Sequence, residues 1–132
     1  MELVVDTSAI IAVLVHGSER ETILQRTVGA ALTAPSSVHW EVGNAFSAMF
    51  RRGRITLDQA KQALLSYERM TFRFIDIELV QSLELSRRLN LYAYDAYVVA
   101  CALNSRSPLL TLDRKLATAA SSVGVRLLEV HP

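Results

Sequence analysis

The sequence contains one cysteine, Cys101, among its 132 residues. A single cysteine excludes an intramolecular disulfide framework and any cysteine-based zinc site. Cys101 lies in the apolar segment 96–103, where a small buried thiol is the ordinary expectation. A nucleophilic cysteine would need a histidine partner, and the three histidines (His16, His39 and His131) form no pattern that provides one. We therefore expect Cys101 to be a core residue.

A charge excess of one sign and a long hydrophobic run are also absent. The formal net charge is +1, so the chain lacks the overall basic field of many nucleic-acid-binding proteins. No apolar stretch approaches the roughly 20 residues that span a bilayer. Glu2 and Asp6 precede the apolar run 9–15, where a signal peptide would carry basic residues. The sequence predicts a cytoplasmic protein without a membrane segment.

The length and composition are those of one domain. With 132 residues, of which 51% are hydrophobic, the chain can bury a core of its own. It has no internal repeat, and the pieces that carry Gly, Ser and Pro are short, as loops in a compact domain are. We expect a single domain over residues 1–132.

The apolar pattern predicts strands that alternate with helices. The predicted strands are 3–5, 31–35, 72–77, 108–112 and 126–130, and the predicted helices are one starting at 6–8 and then 18–28, 38–50, 56–70, 78–89, 94–103 and 113–122. Ser18 and Glu21 have the spacing of a capping box. The alternation implies right-handed crossovers and a three-layer α/β/α sandwich around a parallel sheet of about four to five strands. Helix 94–103 is apolar nearly all round and should be the most buried.

Four acidic residues lie at or just past junctions between an apolar segment and a helical pattern. They are Asp6 in VVDTS, Glu41 in HWEVGN, Asp95 in YDAYVVA and Asp113 in LLTLDRK. Ligands of open α/β sheets bind at the carboxyl ends of the strands, so residues at such junctions can converge. Four neighbouring carboxylates repel one another, and a hard divalent cation such as Mg²⁺ or Mn²⁺ removes that penalty. The pattern indicates a metal-dependent enzyme.

Each of these residues also has a purely structural interpretation. Asp6 and Asp113 sit between a strand and a helix, where aspartate is favoured as an N-cap. Glu41 is early in its helix, where the dipole favours a solvated glutamate. Asp95 is harder to explain, because it opens the most apolar helix, where an unpaired carboxylate is rarely tolerated. The coincidence of all four favours a common site.

Most of the positive residues are arginines, which make bidentate contacts to phosphate. Arg51, Arg52 and Arg54 follow the helix that carries Glu41, and Arg114 follows Asp113. These four are candidate phosphate contacts. The alternative for each is a solvated helix end, and at a helix C-terminus a cation also suits the dipole.

Taken in order, these motifs resemble those of the PIN-domain ribonucleases, and among them the VapC-type toxins of bacterial and archaeal toxin–antitoxin pairs. The resemblance covers essentially the whole length. The segments that carry it are the strand ending in Asp6-Thr7-Ser8, Glu41-Val42-Gly43-Asn44 with the following 51–56, the segment 91–102 with Tyr94-Asp95-Ala96, and 109–116 with Leu112-Asp113-Arg114. Two departures, Tyr92-Ala93-Tyr94 before the third acidic residue and His39-Trp40 before Glu41, concern the substrate-facing wall.

The resemblance implies residue roles. Asp6, Glu41, Asp95 and Asp113 would hold Mg²⁺ or Mn²⁺, with Glu41 acting through water or orienting the nucleophile. Thr7, Ser8, Asn44 and Thr111 would support them. The substrate would be single-stranded or loop RNA, cleaved to leave a 5′-phosphate and a 3′-hydroxyl, with Arg51, Arg52, Arg54 and Arg114 holding flanking phosphates. The expected partners are a second copy of the chain in a homodimer and a VapB-type antitoxin whose C-terminal segment covers the site.

Two other classes stay open. A phosphoryl-transfer domain would use Asp6 as its nucleophile, but such sites commonly need a further aspartate near the first, and here Thr7-Ser8-Ala9 follow. Such a domain also commonly needs a lysine late in the chain, and the only one here, Lys115, lies on the predicted helix of Asp113. A catalytically inactive module of the same fold would bind an antitoxin or RNA, and would be expected to have lost a carboxylate. All four acidic positions are filled.

Overall fold

The computed structural model describes residues 1–130, so His131 lies outside the described residues. The strands are β1 (Glu2–Val5), β2 (Ala31–Pro35), β3 (Phe72–Ile75) and β4 (Leu109–Leu110). The helices are α1 (Thr7–Leu14), α2 (Arg20–Arg26), α3 (Ser37–Arg51), α4 (Leu57–Arg69), α5 (Leu79–Leu89), α6 (Ala93–Ser105) and α7 (Arg114–Ser122).

The four strands form one parallel sheet in the order β3-β2-β1-β4. The chain moves from β1 to β2 to β3 in one direction and then crosses back to β4. Because each crossover is right-handed, α1 to α4 cover one face and α5 and α6 cover the other. The contacts agree, since α1 packs on α2, α3 and α4, while α6 packs on β1 and β2 and against α5. The predicted α/β sandwich with a central parallel sheet is confirmed.

Helix α6 is the most buried helix, as its apolar composition predicts. Its buried residues are Ala96, Val98, Val99, Ala100, Cys101 and Ala102. The Cys101 side chain is fully buried, and burial, followed by repulsion from Glu2, raises the pKa of its thiol to about 12. Since only the thiolate is nucleophilic, Cys101 is an inert core residue.

The predicted fifth strand, 126–130, is reduced to a single bridge. Leu127 pairs with Leu109 in an isolated parallel bridge. The Leu109 N–H donates to the Arg126 carbonyl oxygen at 2.8 Å, and the Leu128 N–H donates to the Leu109 carbonyl oxygen at 2.9 Å. Because β4 has two residues and follows Pro108, it offers too short a ladder for a longer partner.

The capping box predicted at Ser18 is wrong. Helix α2 begins at Arg20 and has Glu19 as its N-cap, without a side-chain capping bond. The Gly17 N–H donates to the Ala12 carbonyl oxygen at 2.7 Å, and the Arg20 N–H donates to the Gly17 carbonyl oxygen at 3.1 Å. These bonds hold Ser18 and Glu19 in a turn, so the helix starts two residues later than its signal.

A capping box occurs instead at the start of α4. The Gln59 N–H donates to Thr56 Oγ1 at 3.1 Å, and the Thr56 N–H donates to Gln59 Oε1 at 3.0 Å. Leu57 is the first residue of α4 and is 59% exposed, although an apolar side chain there would suit the apolar face of the predicted helix 56–70. Ala63 occupies the buried face in its place.

No helix in the described part of the chain is both long and apolar enough to cross a membrane.

Candidate functional site

The four acidic residues are placed at one edge of the sheet. Asp6 directly follows β1, Asp113 lies three residues after β4, and Glu41 is the fifth residue of α3, which follows β2. All strands are parallel, so their carboxyl ends share this edge. Asp95 is in the first turn of α6, the helix that packs across β1 and β2. The fold therefore brings together residues that are up to 107 positions apart in the sequence.

Asp6 is buried and accepts hydrogen bonds on both carboxylate oxygens. Ser8 Oγ donates to Oδ1 at 2.7 Å, and Thr111 Oγ1 donates to Oδ2 at 2.8 Å. The Ala9 N–H also donates to Oδ1, at 3.4 Å. Burial raises the pKa of Asp6 to about 6, the hydrogen bonds oppose this rise, and repulsion from Asp113 adds to it. A cation next to Asp6 would therefore favour its ionised form.

The hydroxyls of Ser8 and Thr111 also join two loops. The Leu112 N–H donates to Ser8 Oγ at 2.9 Å, and the Asp113 N–H donates to Thr111 Oγ1 at 3.1 Å. Each hydroxyl has one proton, which it gives to Asp6, so the 3.3 Å contact between the two hydroxyl oxygens is a packing contact. The pair fixes the segment after β4 against the start of α1 and sets the spacing of Asp6 and Asp113.

Asp6 and Asp113 are both helix N-caps, so the structural interpretation is correct for both. Asp6 caps α1 through the Ala9 N–H. Asp113 Oδ1 accepts from the N–H groups of Lys115 at 2.9 Å and Leu116 at 3.2 Å. Capping orients these carboxylates and does not exclude a second role, because a carboxylate has about four lone-pair sites.

Three buried polar atoms at Glu41, one of them its own, have no hydrogen-bond partner within the described residues. These atoms are Glu41 Oε2, Thr7 Oγ1 and Ser37 Oγ. Burial, followed by repulsion from Asp6 and Asp95, raises the pKa of Glu41 to about 7. The hydroxyls of Thr7 and Ser37 face the carboxylate and partly oppose this rise, although neither reaches hydrogen-bonding geometry. Orphaned buried oxygens are unusual, and here they mark a position suited to a cation.

Asp95 completes the group. Burial and then repulsion from Asp113 raise its pKa, while the Lys115 ammonium lowers it. Repulsion therefore links Asp6 to Asp113, Asp113 to Asp95, Asp95 to Glu41 and Glu41 to Asp6. The four carboxylates form a closed ring of electrostatic neighbours.

The donor set suits Mg²⁺ or Mn²⁺, since it consists of hard carboxylate and hydroxyl oxygens. Within residues 1–130, no three acidic, histidine or cysteine side chains are oriented to hold an ion together. Capping bonds hold the carboxylates of Asp6 and Asp113. The donor set of the ring fits a divalent ion by its chemistry.

The other predicted site residues divide into two groups. Thr7, Ser8 and Thr111 lie at the ring, whereas Asn44 is exposed and makes no hydrogen bond to it in the described structure. Arg114 is exposed at the start of α7, next to Asp113.

The cluster Arg51, Arg52 and Arg54 lies at the other end of α3. Ten residues separate Arg51 from Glu41, which is about 15 Å along a helix axis. All three arginines are exposed. They lie away from the ring, toward the opposite edge of the sheet.

Two residues of the site were missed by the sequence analysis. Ser37 precedes Glu41 by four positions and therefore shares its helix face. Lys115, two positions after Asp113, is the cation that faces Asp95. Both residues could have been found from their spacing to the acidic residues, since one lies four positions before Glu41 and the other two positions after Asp113. The departure His39-Trp40 is exposed, with His39 held at 3.1 Å from the Tyr67 hydroxyl, and it leaves the ring intact.

Comparisons with known proteins agree with this geometry. A family model described as PIN domain matches residues 3–121. PAE2754 from Pyrobaculum aerophilum is 26% identical, with a TM-score of 0.66 over 90% of this chain and 79% of that chain. No curated protein matches the sequence.

Two structures of VapBC complexes share the fold at lower identity. VapBC2 from Rickettsia felis, bound to a DNA fragment from their promoter, is 15% identical with a TM-score of 0.70, over 97% of this chain and 98% of that chain. VapBC-1 from nontypeable Haemophilus influenzae is 16% identical with a TM-score of 0.68, over 98% of each chain.

Proposed function

The chain belongs to the PIN-domain family, and from this premise we propose that it is an Mg²⁺- or Mn²⁺-dependent endoribonuclease that acts as the toxin of a toxin–antitoxin pair. The observation that carries the proposal is the ring of Asp6, Glu41, Asp95 and Asp113 at the carboxyl edge of the sheet. PIN domains are generally nucleases, and a phosphodiester needs its charge neutralised before water can attack it.

When bound, one or two divalent ions supply that neutralisation and activate the attacking water. Asp6, Asp95 and Asp113 are the proposed direct ligands. Ser8 and Thr111 orient Asp6 and favour its ionised form. Glu41 is proposed to act through a water or to orient the nucleophile.

The proposed substrate is single-stranded or loop RNA, because only there can the backbone enter a narrow acidic cleft. The family resemblance implies products with a 5′-phosphate and a 3′-hydroxyl. Arg114 is next to the ring and is a proposed phosphate contact. Arg51, Arg52 and Arg54 lie about 15 Å along α3 from Glu41, so they would contact only distant parts of a bound strand.

The proposed protein partners are a VapB-type antitoxin and a second copy of the chain. The VapBC complexes of similar fold support the antitoxin. Helix α5 has three exposed apolar side chains, Leu79 at 63%, Val80 at 67% and Leu83 at 59%. A cluster of exposed apolar residues supports a protein interface. We propose that each copy acts as one PIN domain over residues 1–132.

The phosphoryl-transfer alternative is disfavoured by the surroundings of Asp6. The side chain is 6% exposed, and both carboxylate oxygens accept hydroxyl hydrogen bonds. Such sites also commonly need a further aspartate near the first, and here Thr7-Ser8-Ala9 follow Asp6. The inactive binding module is the alternative that experiment must separate.

The test is cleavage of total cellular RNA by the purified protein in Mg²⁺ or Mn²⁺, with an EDTA control. We expect discrete fragments, and a loss of at least about a hundredfold in rate for Asp95→Asn, by analogy with removal of other electrostatic stabilisers. Asp58→Asn, an exposed acid in the first turn of α4, is the matched control. Absence of cleavage with every ion by folded, antitoxin-free protein would favour the inactive module.

A further inference from the structure

A groove of about 540 Å³ lies between the end of α5 and one face of α7, and it is lined by positive charge. Arg88 contributes from the last turn of α5, and Arg114 and Lys115 contribute from the first turn of α7. Thr118 adds a hydroxyl one turn further along α7. The lining contains no acidic side chain, so the groove is a basic surface on a chain of net charge +1.

None of the three cations forms an ion pair shorter than 4.0 Å with a carboxylate in the described structure, although the Lys115 ammonium faces Asp95. Within residues 1–130, the one ion pair closer than 4.0 Å joins Arg73 to Glu2. Cations in the first turn of a helix oppose its dipole, so Arg114 and Lys115 do not stabilise α7 by their position. Arg88 lies in the last turn of α5, where a cation stabilises the helix dipole. An experiment therefore has to separate this structural role of Arg88 from a role in ligand binding.

One end of the groove, at Arg114 and Lys115, lies beside the acidic ring. The Lys115 N–H donates to Asp113 Oδ1 at 2.9 Å, and the Lys115 ammonium faces Asp95. From Lys115 the groove follows α7 to Ser122, which is about 10 Å along the helix axis. A polyanion that enters the ring therefore meets these cations as it leaves.

We propose that this groove binds the sugar-phosphate backbone of the RNA strand on one side of the bond that is cleaved, with Arg88 and Lys115 contacting successive phosphates. The inference rests on the proposed nuclease function. Arginine presents a planar fork that matches phosphate oxygens, and lysine provides a point charge. Arg114 lies at the mouth of the groove. An acidic peptide would also be attracted, but the position of the groove beside the ring favours the substrate strand.

The experiment measures the binding of a short fluorescent single-stranded RNA over a series of KCl concentrations. The parent protein carries Asp6→Asn so that the RNA stays intact during the titration. Arg88→Gln and Lys115→Gln are compared with Arg69→Gln and Lys61→Gln, which remove the same charges from exposed positions of α4 on the other side of the sheet. Thermal melts confirm that each variant is folded.

We expect each groove substitution to weaken binding several-fold and to reduce the slope of log K against log salt by about one. The α4 substitutions should leave that slope unchanged. Equal losses in both pairs would indicate a general charge effect and would overturn the proposal, as would unchanged binding by Arg88→Gln and Lys115→Gln. Binding of an oligoglutamate peptide with the same dependence on Arg88, in place of RNA, would also overturn it.

Failure of the groove and failure of the nuclease give different results. If the wild-type protein cleaves RNA and the groove variants bind as the parent does, only the groove assignment is wrong. If the wild-type protein neither binds nor cleaves RNA, the proposed function is wrong and the groove proposal is wrong as well.

Discussion

At the scale of single residues, the side chains of the proposed metal site also hold the local structure together. Asp6 and Asp113 cap α1 and α7, and Ser8 and Thr111 hold Asp6 while they accept amide N–H groups from the loop after β4. Hydrogen bonds to a buried carboxylate favour its charged form. The raised pKa of Asp6 shows that burial exceeds their effect. The protein without metal therefore stores electrostatic strain in these residues.

The pKa of Glu41 predicts how stability without metal depends on pH. Folding raises this pKa from 4.5 to about 7, so the folded chain binds the proton more tightly than the unfolded chain does. The resulting stabilisation is complete below the unfolded pKa and is lost as the pH rises through about 7. In EDTA, Glu41→Gln should raise the free energy of unfolding at pH 8 by about 1 kcal/mol, discounted for partial exposure.

At pH 5 this gain should fall to about a quarter of its value at pH 8, because the folded glutamate is then neutral and only the partial ionisation of the unfolded glutamate contributes. Urea denaturation at the two pH values measures the difference. Glu68→Gln, an exposed glutamate of α4, is the matched control. A gain for Glu41→Gln that is equal at pH 5 and pH 8 would contradict the assignment of electrostatic strain to this residue.

At the scale of elements, the starts of the helices depend on turns as much as on capping residues. Thr56 and Gln59 form both bonds of a capping box at α4. Ser18 has the same kind of sequence signal, with Glu21 three positions later, but the turn at Gly17 moves the start of α2 beyond it. A capping residue forms its hydrogen bonds only where the preceding turn leaves the N–H groups of the first helical turn free.

This difference predicts unequal costs for two similar substitutions. Thr56→Ala should lower the free energy of unfolding by about 1 kcal/mol, because it leaves the Gln59 N–H without its partner. Ser18→Ala should change it by much less. Both variants should cleave RNA as the wild-type protein does, because neither residue lies at the acidic ring. Chemical denaturation checks the pair, and an equal loss for Ser18→Ala would mean that Ser18 caps α2 in solution.

At the scale of the whole molecule, the fold concentrates negative charge at one edge of the sheet although the net charge is only +1. The acidic ring opposes folding in the absence of a cation, and the basic groove beside it lies where a polyanion would leave. Function and stability are thus in opposition at this edge, as is common at active sites.

The opposition predicts a stabilising effect of divalent ions. An ion that binds only the folded chain stabilises it by about 2.7 kcal/mol at a hundred times its Kd. Mg²⁺ or Mn²⁺ should therefore raise the melting temperature of the wild-type protein, and the increase should be much smaller for Asp95→Asn. Differential scanning calorimetry with Asp58→Asn as the control measures this. An equal increase in Asp95→Asn would show that the ion binds elsewhere.

The sequence by itself determined the class of the fold. Fully apolar β1 and the alternation of elements predict a parallel sheet covered on both faces, and the nearly all-apolar α6 predicts the most buried helix. These inferences succeed because an element that is buried on every side can carry almost only apolar residues. The acidic residues were singled out as candidates for a related reason, since a carboxylate at the start of an apolar helix is costly unless it has a role.

Only the tertiary structure decided which residues share the site. The structure places Arg51, Arg52 and Arg54 away from the ring, because they lie at the other end of α3 from Glu41. It places Ser37 and Lys115 at the ring. It also reduced the fifth strand to one bridge at Leu127. Periodicity records which side of an element is buried, whereas proximity between elements depends on strand order and crossover direction, and those are set by the packing of the whole chain.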